Sequence, residues 1–173
     1  KVFKTAEIDS TFYAYPSKGV VMGWTKYTKP DFVFCAKLPT QITHKDKLDP
    51  KQGAEKDLEK FCELMRPLSL EGKLGCLLIQ LPPGLKFDSA LLESFFAVLP
   101  SEFRFAIEFR DMSWLRQSVW SLLERYKVAY TIVDEPKLPS DVKVTGDIAY
   151  VRWHGRGERP WYYYLYSKKE LEP

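Results

Sequence analysis

Apolar residues along the chain follow two alternating spacings, which predicts a regular succession of strands and helices. Segments rich in apolar and β-branched residues predict strands over 2–8, 32–37, 74–80, 103–109, 129–133 and 148–153. Between them, apolar residues at helical spacing predict helices over 20–27, 55–68, 89–98 and 113–126. We expect Asp88 or Ser89 to cap the third helix and Ser113 to cap the fourth. Strands that alternate with helices are typical of a parallel α/β sheet.

This order of elements fits a doubly wound sheet or a (β/α)₈ barrel. No glycine-rich phosphate-binding loop follows a predicted strand, so the nucleotide sites of the doubly wound fold lack support. A barrel has eight strands and about 250 residues, whereas this chain has 173 residues. We therefore expect an incomplete barrel that lacks the first βα unit and the last strand.

Composition and charge exclude several classes of protein. The chain is 45% hydrophobic and 28% charged, as in one ordinary globular domain. Its longest apolar run, 74–81, is far shorter than the roughly 18 residues of a membrane span, and the first residues do not resemble a signal peptide. We expect a cytoplasmic protein with no membrane partner. The 26 basic and 23 acidic residues are too balanced to indicate general nucleic-acid binding.

Three cysteines, Cys35, Cys62 and Cys76, lie in apolar segments. Their number is odd and their spacing matches no zinc pattern. We expect reduced, unligated and largely buried thiols.

Polar residues close each predicted strand. In a barrel, the carboxyl ends of the strands build the active site. Residues two apart face the same side of a strand, so the members of each strand-end pair should point the same way. The strand-end residues are Glu7 and Asp9, Lys37, Gln80, Glu108 and Arg110, Asp134, and Arg152 and His154. We expect six of them to lie around one cavity: Glu7, Lys37, Gln80, Glu108, Asp134 and His154.

These residue types predict acid–base chemistry on an anionic or sugar-like ligand. The expected catalytic residues are Glu108, His154, Asp134 and Glu7, because carboxylates and imidazole transfer protons. The expected substrate-binding residues supply charges, hydrogen bonds and rings: Asp9, Tyr13, Lys37, His44, Gln80, Arg110, Trp114, Arg152 and Arg156. The alternative is a structural ion network, in which Glu108 pairs with Arg110 or Arg152 without doing chemistry.

A cofactor is not assigned. His44 and His154, the only histidines of the chain, could join Glu108 and Asp134 in a mixed nitrogen and oxygen site for a divalent metal. No ligand spacing such as His-Glu-x-x-His occurs, so we assign no metal ligand. Aromatic residues flank these charges, including Trp153 and the run 161–164, and they are expected either to stack on a sugar or base or to fill the core.

Five segments, in this order, resemble the family called domain of unknown function 72: 7–13, 34–44, 74–83, 108–114 and 150–156. The resemblance implies a TIM-barrel fold, and some members are labelled sugar-isomerase-related. Members usually begin with a glycine-rich strand and a Trp-containing loop, and end with a strand carrying Asn; this chain has neither. It also has Asp9 where the family often has Asn. The resemblance supports one partial TIM-barrel-like α/β domain over 1–173, but it implies no reaction.

Three functions stay open. The first is an enzyme, isomerase-like or hydrolase-like, that acts on a phosphorylated or hydroxylated sugar-like molecule through a carboxylate and His154. The second is a nucleic-acid-directed barrel, either DNA-binding or a metal-assisted phosphodiester hydrolase. The third is a noncatalytic binding protein. The oligomeric state is not predicted.

Overall fold

Six parallel strands form one sheet in the computed structural model, which describes residues 3–139, 141–158, 160 and 163–172. Each strand pairs with the next along the chain. The strands are β1 (Thr5–Ile8), β2 (Val33–Lys37), β3 (Leu74–Gln80), β4 (Phe105–Glu108), β5 (Ala129–Asp134) and β6 (Tyr150–Trp153). The predicted parallel α/β sheet is therefore confirmed, although position 2 of the first predicted strand lies outside the described residues.

The helices and short turns connect these strands. The α-helices are α1 (Ser10–Tyr13), α2 (Lys18–Lys26), α3 (Ala54–Leu70), α4 (Ser89–Phe96), α5 (Gln117–Tyr126) and α6 (Lys168–Leu171). A π-helical turn at Gln41–Lys45 and 3₁₀ turns at Pro50–Gln52 and Met112–Trp114 complete the described helical elements. Among the described residues, no helix is long and apolar enough to cross a membrane.

The two predicted helix caps have different outcomes. Asp88 caps α4, because its carboxylate accepts the backbone N–H of Leu91 at 3.0 Å. Ser113 does not cap α5, so that prediction is wrong. Its own backbone N–H donates to the Asp111 carboxylate, which closes the 3₁₀ turn Met112–Trp114. Leu115 then leaves helical geometry, and α5 begins at Gln117.

The sheet is strongly curled. Adjacent strands lie about 4.8 Å apart, so six flat strands would separate β1 from β6 by roughly 24 Å. Yet Arg152 on β6 contacts Glu7 on β1 at 2.6 Å, and the Tyr150 hydroxyl donates to the same carboxylate. The sheet therefore bends toward itself and has a concave face.

Alternate residues of the strands pack into two apolar layers. Leu77 and Ile79 face the helices and join the main core. Their neighbours Cys76 and Leu78 face the concave side, as expected from the two-residue repeat of a strand. There they pack in a small inner layer with Ala106, Ala129, Cys35, Ile148 and Tyr150. This layer forms the apolar floor below the polar residues at the carboxyl ends of the strands.

The cysteines are distributed over both layers. Cys62 and Cys76 are buried, as predicted, whereas Cys35 is only half-buried. All three are free thiols in the structure.

Candidate functional site

Polar side chains gather on the concave face, at the carboxyl ends of four strands. All but Tyr150, which begins β6 and is itself part of the apolar floor, occupy the inward-facing positions that follow this floor. Hydrogen bonds and ion pairs join the members of this concave-face cluster, which consists of Glu7, Gln80, Glu108, Arg110, Tyr150, Arg152 and His154. The structure thus brings together the strand-end residues predicted on β1, β3, β4 and β6.

Glu108 lies at the centre of the cluster and has no exposed surface. Its Oε1 accepts hydrogen bonds from Gln80 Nε2 and Arg110 Nη1, both at 2.8 Å, and its Oε2 accepts one from Arg152 Nη1 at 2.7 Å. Burial by itself raises the pKa of this carboxyl, but the hydrogen bond to His154 and the charge of Arg152 outweigh it. The pKa therefore lies well below its usual range, and Glu108 is an anion at neutral pH.

Arg152 bridges the two carboxylates of the cluster. Its Nη2 and Nε bind the two oxygens of Glu7 at 2.6 and 3.1 Å, while its Nη1 binds Glu108. Burial lowers the pKa of Arg152, but the two carboxylates raise it more, so the guanidinium stays charged. The Tyr150 hydroxyl also donates a hydrogen bond to Glu7. Burial together with this hydrogen bond raises the pKa of the Tyr150 phenol. Glu7 is therefore held in place from two sides.

His154 is the half-buried imidazole of the cluster. Its Nε2 lies 3.2 Å from Glu108 Oε1 and 3.4 Å from Arg152 Nη1. We assign the ring proton to Nε2 because the carboxylate is its nearer partner, which leaves the lone pair on Nδ1. The carboxylate also stabilises the imidazolium after a proton is taken up. The pair can therefore act as an oriented proton acceptor and donor.

Lys37 and His44 lie in a second group, beside the cluster, which we call the lysine pocket: Asp9, Phe12, Lys37 and His44. Lys37 Nζ lies 4.1 Å from the centre of the Phe12 ring and 3.8 Å from Asp9. The His44 ring meets the same phenylalanine edge-on at 5.0 Å. Burial lowers the pKa of Lys37, and burial and the Lys37 charge lower that of His44.

Asp134 is not brought together with Glu108. Thr131 and Val133 precede it on β5, and the strand repeat directs Asp134 away from the concave face. Its carboxylate instead binds Arg156 Nε at 2.9 Å and accepts the Tyr166 hydroxyl at 2.8 Å. Tyr166 in turn accepts the backbone N–H of Gly155, whose φ of 89° suits glycine. These contacts hold the loop that follows His154.

The predicted aromatic contacts are corrected in part. Trp114 cannot stack on a ligand, because it has no exposed surface, stacks on Phe109 and donates its indole N–H to Leu85. Tyr13 is 79% exposed and contacts Phe12 edge-on. Trp153 is exposed on the convex side of β6. Residues 161 and 162 lie outside the described residues.

Two cluster contacts were missed in the sequence. Tyr150 lies two residues before Arg152 on β6, so the same strand repeat that grouped Arg152 with His154 could have found it. Glu135 is buried and lies 3.5 Å from Arg110 Nη2. It follows the end of β5, two residues after the inward-facing Val133, so the same repeat could have indicated its direction. In the part of the chain that the structure describes, no group of three His, Cys, Asp or Glu residues is arranged to hold a metal.

These features define an α/β protein with a curled parallel sheet and a buried polar cluster at the carboxyl ends of its strands. The chain belongs to the DUF72 family: the family model described as "Protein of unknown function DUF72" matches residues 1–173. The resemblance noted in the sequence is thereby confirmed.

Relatives and solved structures agree with this assignment. UPF0759 protein YunF of Bacillus subtilis is 25% identical and the match covers 98% of this chain and 70% of YunF. UPF0759 protein YecE of Escherichia coli is 32% identical over a match covering 62% of this chain and 38% of YecE. The crystal structure of a DUF72 family protein of Thermotoga maritima has a TM-score of 0.84 at 35% identity, covering 98% of this chain and 69% of that one. An Enterococcus faecalis DUF72 structure shares the fold, with a TM-score of 0.85 at 24% identity over 98% of this chain and 74% of that one.

Proposed function

We propose that the protein is an enzyme acting on a small, hydroxylated or phosphorylated sugar-like molecule by proton transfer. We further propose that 1–173 is one domain and forms most of a (β/α)₈ barrel, with the site at the carboxyl ends of its strands. The observation that carries the proposal is the fully buried, ionised Glu108 in contact with His154. Burying a charge costs free energy, and holding a proton-transfer pair in a fixed geometry is a functional reason for such a charge.

His154 is the proposed acid and base. Glu108 itself is a weak proton acceptor near neutral pH, because Arg110 and Arg152 stabilise its anion. Its proposed role is therefore to orient the imidazole and to stabilise the imidazolium. His154 Nδ1 then takes a proton from a substrate carbon or hydroxyl and returns it to a neighbouring atom. Isomerisation needs this pair of steps, and hydrolysis needs a similar transfer to the leaving group.

The remaining charges favour a small ligand over a nucleic acid. Arg110 and Arg152 are paired with carboxylates, so they offer little free positive charge to a phosphate backbone. Lys37, in contrast, has its nearest carboxylate oxygen at 3.8 Å. We propose that Lys37 contacts a substrate oxygen, and that Asp134 and Arg156 position the loop after His154. A noncatalytic binding protein is the outcome to be distinguished by experiment.

The test is exchange of substrate protons with solvent. A panel of free and phosphorylated aldoses and ketoses is incubated with the protein in D₂O, and loss of C–H signals is followed by proton NMR. We expect exchange with at least one compound, and His154→Gln should abolish it while leaving the thermal unfolding temperature within a few degrees.

A matched control is Arg66→Gln, which breaks exposed ion pairs with Glu63 and Glu102 outside the site. This variant should keep the exchange. Exchange that persists in His154→Gln would contradict the proposal. A compound that binds to the protein without exchange or turnover would indicate a binding protein instead.

A further inference from the structure

Two lysines in the described part of the chain are buried, and their ammonium groups are held in different ways. Lys73 and Lys37 are 6% and 8% exposed. Lys73 Nζ donates to the carbonyls of Thr25 and Thr28, at 2.6 and 3.0 Å, and to the Thr28 hydroxyl at 3.2 Å. Its three N–H groups are therefore satisfied, and its role is structural.

Lys37 makes no such set of hydrogen bonds within the described residues. Its contacts are the face of the Phe12 ring and the Asp9 carboxylate at 3.8 Å, which is beyond hydrogen-bond distance. Asp9 is itself 62% exposed at its side chain. A buried amine that the protein does not bind directly is available to a ligand on the concave face.

The surroundings of Lys37 lower the pKa of its ammonium group. Burial lowers the pKa of Lys37, and the charge of Arg152 on β6 lowers it further. The carboxylates of Asp9 beside α1, Glu108 on β4 and Glu7 on β1 raise it, but by less. His44 faces the same Phe12 ring from the π-helical turn after β2. A buried lysine that releases its proton more readily than an exposed one is a nucleophile for carbonyl groups.

His44 supplies a proton carrier that contacts the same Phe12 ring as this amine. Its Nδ1 lies 2.9 Å from the Thr43 hydroxyl, which orients the ring and leaves Nε2 for another partner. The turn Gln41–Lys45 that carries it is π-helical, a rare geometry that is frequent at functional sites. The lysine pocket therefore combines an amine, an imidazole and an aromatic wall.

We propose that Lys37 forms an imine with an aldehyde or ketone group of the substrate, so that the site takes small carbonyl compounds. The ammonium of Lys37 gives one proton to His44, and the neutral amine adds to the carbonyl carbon. His44 returns this proton to the oxygen of the carbinolamine. The C–O bond then breaks after a second proton transfer, one water leaves and a protonated imine stays on Lys37. Atoms and charge balance without an oxidant or reductant.

The imine would assist the proton transfer by His154, and this part of the inference rests on the proposed function. Arg152 Nη2 lies 3.9 Å from Asp9, and its Nη1 lies 3.4 Å from His154. The two groups thus share one charged neighbour on the concave face. A protonated imine withdraws electrons from the adjacent carbon, whose proton is then easier for His154 to remove.

Reductive trapping tests the imine directly. The wild-type protein is incubated at neutral pH with limiting glycolaldehyde and sodium cyanoborohydride, and peptide mass spectrometry locates the hydroxyethyl group that is added. We expect Lys37 to be modified several-fold faster than any exposed lysine, with Lys73 unmodified as the buried control. Lys37→Arg should lose the fast modification.

The rates of lysine modification in the wild-type protein decide the result, even if Lys37→Arg does not fold. Modification at Lys37 that is no faster than at exposed lysines would overturn the inference. The two proposals also fail separately. Trapping at Lys37 that persists in His154→Gln, together with loss of deuterium exchange, supports both. Exchange without trapping at Lys37 would leave the proposed function standing and refute the imine.

Discussion

The chemistry of the concave face depends on where single carboxylates lie relative to cations. Glu108 is enclosed by Gln80, Arg110, Arg152 and His154, so its charge is compensated inside the protein rather than by water. Asp134, one strand away, binds Arg156 near the surface. Removing either carboxylate has different consequences, because Glu108 is fully buried against its two arginines, whereas Asp134 pairs with a half-exposed arginine.

Glu108→Gln should therefore lower the free energy of unfolding at pH 7 by roughly 3–5 kcal/mol, the usual cost of breaking a buried ion pair. The folded-state pKa of Glu108 is depressed, so its stabilisation is complete above the unfolded pKa of about 4.3 and is lost as the pH falls toward the folded value. The difference between variant and wild type should shrink in acid. Urea unfolding at neutral and acidic pH measures both effects.

Glu63→Gln is the matched control for this experiment. Glu63 pairs with Arg66 at the surface, where water screens the interaction, so its removal should change stability far less. A Glu108 variant as stable as this control would show that the buried network contributes nothing to the fold.

The concave-face residues were predictable wherever the strand repeat applies. Glu7, Glu108 and Arg152 occupy inward positions on well-defined strands, and the sequence shows this directly. Asp134 was misplaced because it was assigned by its position at the strand end alone, whereas the two-residue repeat of β5 turns the residue after Val133 to the other side. Trp114 was wrongly assigned to substrate binding because its burial depends on how the core packs, which a single sequence position does not show.

At the scale of elements, a helix depends on how its first turn is capped. The first backbone N–H groups of α4 have no partner within the helix, and Asp88 satisfies that of Leu91. Ser89, the next residue, lies inside the helix. The sequence left Asp88 and Ser89 as equal candidates, because both residue types are good caps.

Asp88→Ala should destabilise the protein by about 1 kcal/mol, the typical value of an N-cap. Ser89→Ala should leave stability nearly unchanged, since Ser89 is the first residue of α4 and the cap is supplied by Asp88. Thermal unfolding of the two variants side by side separates them. Equal effects, or a larger effect of Ser89→Ala, would contradict the capping geometry.

The boundary of α5 shows why some elements could not be predicted. The apolar spacing continues from Trp114 through Val119, which suggests one long helix over 113–126. The chain instead breaks at Leu115 and Arg116, because Asp111 closes a separate 3₁₀ turn and Trp114 packs against Phe109. Periodicity reports which residues are buried, but a local hydrogen bond decides where the helix begins.

At the scale of the whole molecule, the polar cluster joins the two ends of the sheet. Glu7 on β1 binds Tyr150 and Arg152 on β6, residues more than a hundred positions away in the sequence. The number and order of strands could be predicted from the alternating pattern. The expected barrel also implied a curled sheet, but individual contacts across the concave face, such as that of Tyr150 with Glu7, could not be predicted because they depend on how the side chains pack.

This connection predicts that β1 and β6 open together. Glu7→Gln weakens the ion pair to Arg152 and should increase amide hydrogen exchange in both strands, measured by mass spectrometry, while α3 on the far side of the sheet keeps its protection. Lys4→Met is the control: it removes an exposed ion pair to Asp31 next to β1, without touching β6. Faster exchange in β1 alone would mean that the contact across the concave face does not hold the curled sheet together. Faster exchange in both strands of Glu7→Gln, but not of Lys4→Met, would assign that role to Glu7.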